Sequence, residues 1–241
     1  MVFPLAVFPT TSVDLMSIDA RDALPYEMAF MKNTLLRGLN GAVAHGTSLS
    51  SSDASLKSFL TYVGELCGII LTHIEVDEHF FRETKKRGII LEHVLGPSCV
   101  PDLLEVRESI AALKRFIVEC LSNPPMYDGQ TLLSKLDFAE KLRDAWGAQL
   151  DAVNPSRLIP SLDDTEVREM TREIIAYFTS KCDHAFLVPY ILSHHDPATS
   201  MHWPQTTPQN WAALSQVMPK YAGCWDFAPY IEKVYATIQG L

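Results

Sequence analysis

The strongest constraint on the fold is a helical spacing of apolar residues that recurs in five segments of the chain. Apolar residues three or four apart lie on one face of an α-helix, and no segment shows the alternating pattern of a half-buried strand. We therefore predict an all-α fold with one core. The five stripes are Met28, Lys32, Leu35 and Leu39; Phe59, Leu66, Ile70, His73, Asp77 and Phe80; Leu103, Val106, Ile110, Leu113 and Ile117; Leu132, Leu136, Ala139, Leu142, Trp146 and Leu150; and Val167, Met170, Ile174 and Phe178.

Prolines and polar loops separate these helical segments. Pro25 starts the first helix, which an Asn40-Gly41 pair should end, and Asp53 should cap a long second helix that runs to about Lys85. Short connections between long helices favour an up-down four-helix bundle with one additional helix over residues 25–181. Frequent prolines after that point predict an irregular C-terminal wrap over residues 182–241, with one or two short helices.

The composition excludes several classes of function. A chain of 241 residues that is 47% hydrophobic and 20% charged suits a single domain over residues 1–241. The net charge of −9 argues against binding to nucleic acid or to an anionic membrane. Five cysteines without a C-x-x-C pair, and an N-terminus without a basic region, favour a reducing cytoplasmic location. A homo-oligomer is compatible with all of these values.

Three ionisable residues interrupt the apolar stripes. Lys32 lies in the stripe of the first helix, and His73 and Asp77, four residues apart, point the same way from the second helix. Burying such groups costs several kcal/mol unless they are paired, hydrogen-bonded or bound to a metal. The sequence therefore predicts that these three residues form a structural network, a metal site or a functional site.

Four short segments resemble the hemerythrin-like (HHE cation-binding) family, in particular its fungal branch. They are PYEMAFMKNTLLRGLN at residues 25–40, LTHIEVDEHFF at 71–81, IVECL at 117–121 and, less sharply, CWDFAP at 224–229. The resemblance spans roughly residues 24–230. It implies a hemerythrin-like helical bundle, in which facing helices project histidines and carboxylates toward a di-iron site.

The ligand positions that this resemblance implies are only partly filled. The H-x-x-x-E pattern of the second helix falls on His73 and Asp77. Lysine and arginine at other ligand positions would add positive charge where two cations should bind, so we expect that the metal site is lost and that no cofactor is bound. Iron stays the alternative, as does one ion on His73, Asp77 and Glu78. The other ligand positions fall at Lys32, near Leu103 and Arg107, and near Asn154 and Arg157 or Leu158.

The resemblance also supplies a functional hypothesis, because the fungal branch looks like one used in secondary metabolism. We predict a metal-independent enzyme that cyclises, isomerises or dehydrates a small organic substrate. Its pocket should lie between the first, second and third helices, with His73, Asp77, Lys32 and Arg107 as catalytic residues. In this hypothesis His73 moves a proton, Asp77 orients its ring, and Lys32 or Arg107 stabilises a substrate oxyanion.

Three alternatives remain open at this point. The charged residues could form a structural ion network only, the protein could bind a small molecule or a metal without catalysis, or it could be a di-iron protein that binds oxygen or oxidises a substrate. The C-terminal aromatic residues also have two interpretations: they cap the open end of the bundle, or they line the mouth of a pocket. The residues concerned are Trp203, Trp211 and Trp225.

Overall fold

The computed structural model of the chain describes residues 3–83 and 85–240, with only the backbone of Lys85. Helix accounts for 72% of the chain, which confirms the predicted all-α class. Two strands of two residues each, β1 (Lys85–Lys86) and β2 (Ile89–Ile90), pair antiparallel. The helices are α1 (Ala20–Gly46), α2 (Leu56–Arg82), α3 (Leu91–Leu95), α4 (Leu104–Ser122), α5 (Gly129–Lys135), α6 (Phe138–Ala152), α7 (Pro155–Leu158), α8 (Asp164–Ser180), α9 (His184–His194), α10 (Pro208–Val217) and α11 (Ile231–Gln239).

Helix α1 extends beyond both of its predicted ends. It begins at Ala20 because the Asp19 side chain accepts a hydrogen bond from a backbone N–H of the first turn. The Asn40-Gly41 pair lies inside the helix instead of ending it. The reason is that the Asn40 amide is bonded elsewhere: its Oδ1 accepts from Leu5 N at 2.7 Å, and its Nδ2 donates to Leu5 O at 3.0 Å. Asn40 thus ties the N-terminal arm to α1.

The second and fourth predicted helices also differ from the structure. Asp53 accepts hydrogen bonds from Ser50 and does not cap α2, which begins at Leu56. The fourth helix is split into α5 and α6 at Leu136. The segment between Gly88 and Gly96, which connects α2 toward α4, contains β2 and α3.

The C-terminal region is more helical than predicted. Residues 182–241 contain the three helices α9, α10 and α11, together with a 3-10 segment, Met218–Phe227. The prediction of an irregular region treated these prolines as helix breakers. Pro208 instead occupies the first turn of α10, where its missing N–H breaks no helical hydrogen bond. Helix α9 packs on α1 and buries Phe186 and Tyr190. The Tyr190 hydroxyl lies so close to Gly38 that a Cβ there would be 2.2 Å away.

Four long helices surround the main core. Helix α1 packs against α2 and α6, α2 packs against α4, and α4 packs against α6. Helix α8 lies against both α1 and α2. Among the residues of the predicted apolar stripes, Leu66, Ile70, Ile110 and Leu136 are fully buried. Ile174 on α8 is only partly buried, because it lines a cavity between α8 and the first two helices.

Among the described residues, α2 is long and apolar enough to cross a membrane by length and composition. Within its most apolar stretch, 61% of the residues are buried inside the fold. The core helix of a soluble protein meets the same criterion.

Truncation of the core should be costly at the helix contacts and harmless at the surface. We expect Ile110→Ala to lower the free energy of unfolding by about 2–5 kcal/mol, since it leaves a cavity between α4 and its neighbours. Leu104→Ala, on the same helix but 62% exposed, should change it by no more than about 0.5 kcal/mol. Urea denaturation of the two variants measures the difference. Equal effects would contradict the packing of α4 described above.

Candidate functional site

Lys32, His73 and Asp77 form one hydrogen-bonded group between α1 and α2. The Lys32 side chain is fully buried, and its Nζ donates to Asp77 Oδ2 at 2.7 Å. The same Nζ lies 3.1 Å from His73 Nε2. His73 Nε2 and Asp77 Oδ2 are 3.6 Å apart, so the ammonium group bridges them. The structure thus brings together three of the four residues that the sequence predicted.

Burial sets the protonation of this group. It lowers the pKa of His73 to about 4, which the charge of Asp77 opposes and the charge of Lys32 supports. It also lowers the pKa of Lys32, against the attraction and the hydrogen bond of Asp77. With this pKa His73 is neutral at pH 7. Because an ammonium group can only donate, we assign His73 Nε2 as the acceptor from Lys32 and place the ring proton on Nδ1.

Aromatic rings hold the His73 imidazole in place. The indole of Trp146 contacts it edge to face, with ring centroids 5.6 Å apart, and Phe178 does so at 5.8 Å. The Lys32 ammonium lies over the indole of Trp146, with Nζ 5.5 Å from the ring centroid. Trp146 therefore supports both basic side chains from α6, and Phe178 closes the other side from α8.

A cavity of about 370 Å³ lies beside this group. Its walls come from α1, α2 and α8, with Trp203, Pro204 and Gln205 at one end. The predicted position between the first three long helices was wrong: α4, the third of these, packs against α2 elsewhere, and α8 faces the cavity instead. His73 and Asp77 both line the cavity, and its other walls are mainly apolar.

Two predicted catalytic residues do not reach the cavity. Lys32 is 0% exposed and lies behind His73 and Asp77, so it cannot touch a substrate oxyanion in the cavity. Arg107 lies on α4 and forms an ion pair with Glu78, with Nη2 2.7 Å from Glu78 Oε2. The angles at Nη2 do not meet those of a hydrogen bond. Glu78 follows Asp77 directly on α2, and one residue turns the side chain by about 100°. Glu78 and Arg107 are therefore directed away from the cavity.

The contact between Glu27 and Trp203 was not predicted from the sequence. Glu27 lines the cavity from α1, and its Oε2 accepts a hydrogen bond from Trp203 Nε1 at 3.0 Å. Phe30 stacks on Trp203 with ring centroids 5.2 Å apart. The signal for Glu27 was present, because Leu24, Glu27 and Met31 share one helical face. No local pattern connects Glu27 with a tryptophan 176 residues away.

The paired histidines of the C-terminal region are buried. A sequence of two histidines before Asp196 is more often solvent-facing, but His194 and His195 lie at the end of α9 inside the fold. His194 Nε2 accepts from the Tyr62 hydroxyl at 2.7 Å, and its Nδ1 lies 2.8 Å from Tyr190 O. His195 Nε2 lies 2.8 Å from Ser200 O. Both rings therefore serve as hydrogen-bonding groups of the core.

The residues at the implied ligand positions do not fit a di-iron centre. The Lys32 ammonium occupies the place between His73 Nε2 and Asp77 Oδ2 that a metal ion would need. Asn154 caps α7, and Arg157 donates to Leu95 O. In the described part of the chain, no three His, Cys, Asp or Glu side chains are grouped to hold a metal ion, which also applies to His73, Asp77 and Glu78.

Comparison with models of protein families, with curated proteins and with solved structures found no match for this chain.

The stability of the fold should depend on Lys32 and Asp77 being present together, so that loss of one costs more than loss of both. We expect Lys32→Met to lower the free energy of unfolding by about 3–5 kcal/mol, because it leaves the Asp77 carboxylate without its partner. The double variant Lys32→Met/Asp77→Leu should regain most of that loss, since it removes both charges. Lys141→Met, at a 52% exposed ion pair, serves as the control and should have little effect. A double variant no more stable than Lys32→Met would contradict the pairing.

Acid should destabilise the fold through His73. Because its pKa is lowered from 6.5 to about 4 in the fold, the unfolded chain binds a proton between these values and the folded chain does not. Stability is therefore full above pH 6.5 and falls as the pH drops toward 4. His73→Gln should flatten this part of the profile of unfolding free energy against pH. His202→Gln, an exposed histidine, is the matched control. An unchanged slope in His73→Gln would show that the ring is protonated in the fold.

Proposed function

We propose that the cavity is the active site of a metal-independent enzyme that transfers protons on a small, largely apolar organic molecule. One observation carries the proposal: mainly apolar walls present His73 and Asp77, and a fully buried Lys32 holds both from behind. A volume of about 370 Å³ falls within the range of roughly 300–1,000 Å³ of small-molecule sites. A structural role alone does not require these groups to border a cavity.

The free atoms of the pair define its chemical roles. Lys32 occupies Asp77 Oδ2 and His73 Nε2, which leaves Asp77 Oδ1 as an acceptor and His73 Nδ1–H as a donor for a ligand. In this proposal Asp77 removes a proton from the substrate, and His73 donates a hydrogen bond to the oxygen on which negative charge develops. Lys32 is a positioning residue that holds the Asp77 carboxylate through an ion pair and fixes the His73 tautomer.

This arrangement favours reactions that return the proton to the same molecule. Asp77 can deliver the proton to another carbon, which isomerises the substrate, or to a departing hydroxyl group, which dehydrates it. In a cyclisation, Asp77 removes the proton of an internal nucleophile, which bonds to a carbonyl carbon of the same molecule, and the oxyanion formed there takes the proton back. None of these reactions needs an oxidant, a metal or a cofactor. The resemblance to the fungal hemerythrin-like family adds secondary metabolism as the proposed setting.

We also infer that the fold is a hemerythrin-like up-down bundle of α1, α2, α4 and α6. The contacts of α1 with α2, α2 with α4, α4 with α6 and α6 with α1 support this inference. Lys32, His73 and Trp146 come from three of these four helices. In this inference the Lys32 ammonium takes the place of the family's metal inside the bundle, and the cavity opens beside it between α1, α2 and α8.

A general probe of carboxylate bases tests the proposal without knowledge of the natural substrate. In 5-nitrobenzisoxazole a base removes a ring C–H proton, the N–O bond breaks, a nitrile forms, and the electron pair ends on a coloured phenolate oxygen. We expect the protein to open this ring about a hundredfold faster than acetate at equal concentration. Asp77→Asn should remove about a hundredfold, and His73→Ala about tenfold or more through loss of the donor to the oxygen.

The matched control is Asp144→Asn, at a carboxylate that is 72% exposed, and its rate should equal that of the wild type. Circular dichroism and urea denaturation confirm that each variant is folded. A wild-type rate no greater than that of acetate, or an unchanged rate in Asp77→Asn, would overturn the proposal. Lys32, His73 and Asp77 would then be a structural network.

A further inference from the structure

Glu27 is a second carboxyl group in the cavity, and its surroundings are unlike those of Asp77. It is partly buried on α1, and its hydrogen bond from Trp203 Nε1 leaves Oε1 for a ligand. Burial raises the pKa of Glu27, while the bond from Trp203 opposes the rise. Trp203 is itself held by Phe30, stacked at 5.2 Å, and by His195, in edge contact at 5.0 Å. The position of the carboxyl group is therefore set by a rigid neighbour.

Glu27 has no cationic partner in the part of the chain that the structure describes. No lysine or arginine is among the residues that line the main cavity, since Lys32 is sealed behind His73 and Asp77. The other ionisable groups facing this cavity are His73 and Asp77 on α2. A carboxyl group that faces an apolar cavity without a cation is costly to ionise, unless a ligand supplies the positive charge.

The walls around Glu27 suit a cation as well as an apolar body. Trp203, Phe80 and Phe178 line the same cavity, and aromatic faces attract ammonium groups. Met28 and Met31, one turn apart on α1, add flexible apolar surface that adapts to ligand shape.

We propose that the cavity binds an apolar amine whose ammonium group pairs with Glu27 beside the ring of Trp203. The apolar part of the amine lies among the methionines of α1 and the apolar residues of α8. This proposal defines the class of ligand that the cavity binds. It rests on the proposed function only for the claim that the bound amine is also a substrate of Asp77 and His73.

An adjoining cavity supplies the competing ligand class. It measures about 220 Å³, shares Glu27 and Thr171 with the main cavity, and contains Arg168 and Arg172 from α8. Arg168 is already bonded to Asp164 Oδ2 at 3.0 Å and to Ile18 O. Arg172 is exposed. An anionic ligand would bind in this adjoining cavity, next to the arginines, so the test includes an anion of matched shape.

Three probes with the same ring separate the possibilities in calorimetric titrations of the folded chain. They are 2-phenylethylamine, 2-phenylethanol and 3-phenylpropanoate, which are cationic, neutral and anionic at pH 7. We expect the amine to bind about tenfold or more tightly than the alcohol, with the anion weakest. Glu27→Gln, which keeps an acceptor for Trp203, should weaken the amine about tenfold or more and leave the alcohol within about twofold. Glu232→Gln, on α11, is the surface control.

Proton release gives an independent readout of the same contact. Burial raises the pKa of Glu27, and the ammonium group of a bound amine would lower it again. Titrations in two buffers of different ionisation enthalpy should therefore show protons released on binding, and more as the pH is lowered toward that pKa. Glu27→Gln should release none. Equal affinity for amine and alcohol, strongest binding of the anion, or an unchanged amine affinity in Glu27→Gln would each overturn the inference. If the protein opens 5-nitrobenzisoxazole but shows no preference for the amine, only this inference is overturned. If it prefers the amine but does not open the ring, only the proposed catalysis is overturned.

Discussion

The contact between the Lys32 ammonium and the Asp77 carboxylate is the constraint on which the rest of the site depends. It joins α1 to α2 where the Lys32 side chain is fully buried and that of Asp77 is largely buried, so that removal of either charge leaves the other without its partner. The same ammonium occupies His73 Nε2, so one buried cation fixes both a carboxylate and an imidazole tautomer. Trp146 and Phe178 then hold the ring between them. Both His73 and Asp77 also line the cavity.

Among the described residues, Asp77 has a cationic partner and Glu27, the other carboxyl group of the cavity, has none. Asp77 is paired with Lys32, whereas Glu27 receives a neutral hydrogen bond from Trp203 and its pKa is raised by burial. Carboxyl groups in such different surroundings are a recurrent basis for acid-base chemistry and for the recognition of charged ligands. The metal site that the sequence resemblance implies would need both His73 and Asp77, but Lys32 already uses them.

Helical periodicity was enough to predict the centre of the site. Lys32, His73 and Asp77 each interrupt an apolar stripe, and stripes on adjacent helices face each other, so their contact follows from the sequence alone. Arg107 was misplaced because its partner, Glu78, is one residue away from Asp77 and thus points in another direction. Glu27 and Trp203 were missed because their contact depends on the path of the C-terminal region, which its prolines made appear irregular. Asn40 and Pro208 show the same limit for residues that usually form turns. Asn40 lies inside α1 because its amide bonds the N-terminal arm, and Pro208 lies in the first turn of α10, where its missing N–H is tolerated.

The tautomer and charge of His73 test the central claim most directly. Nitrogen-15 NMR of the protein with labelled histidines distinguishes a protonated ring nitrogen from an unprotonated one. We expect the His73 ring at pH 7 to be neutral, with the proton on Nδ1 and with Nε2 accepting a hydrogen bond, and this pattern should be lost in Lys32→Met. A doubly protonated ring at pH 7, or a proton on Nε2, would show that Lys32 does not hold His73 and Asp77 as described, and would contradict the account.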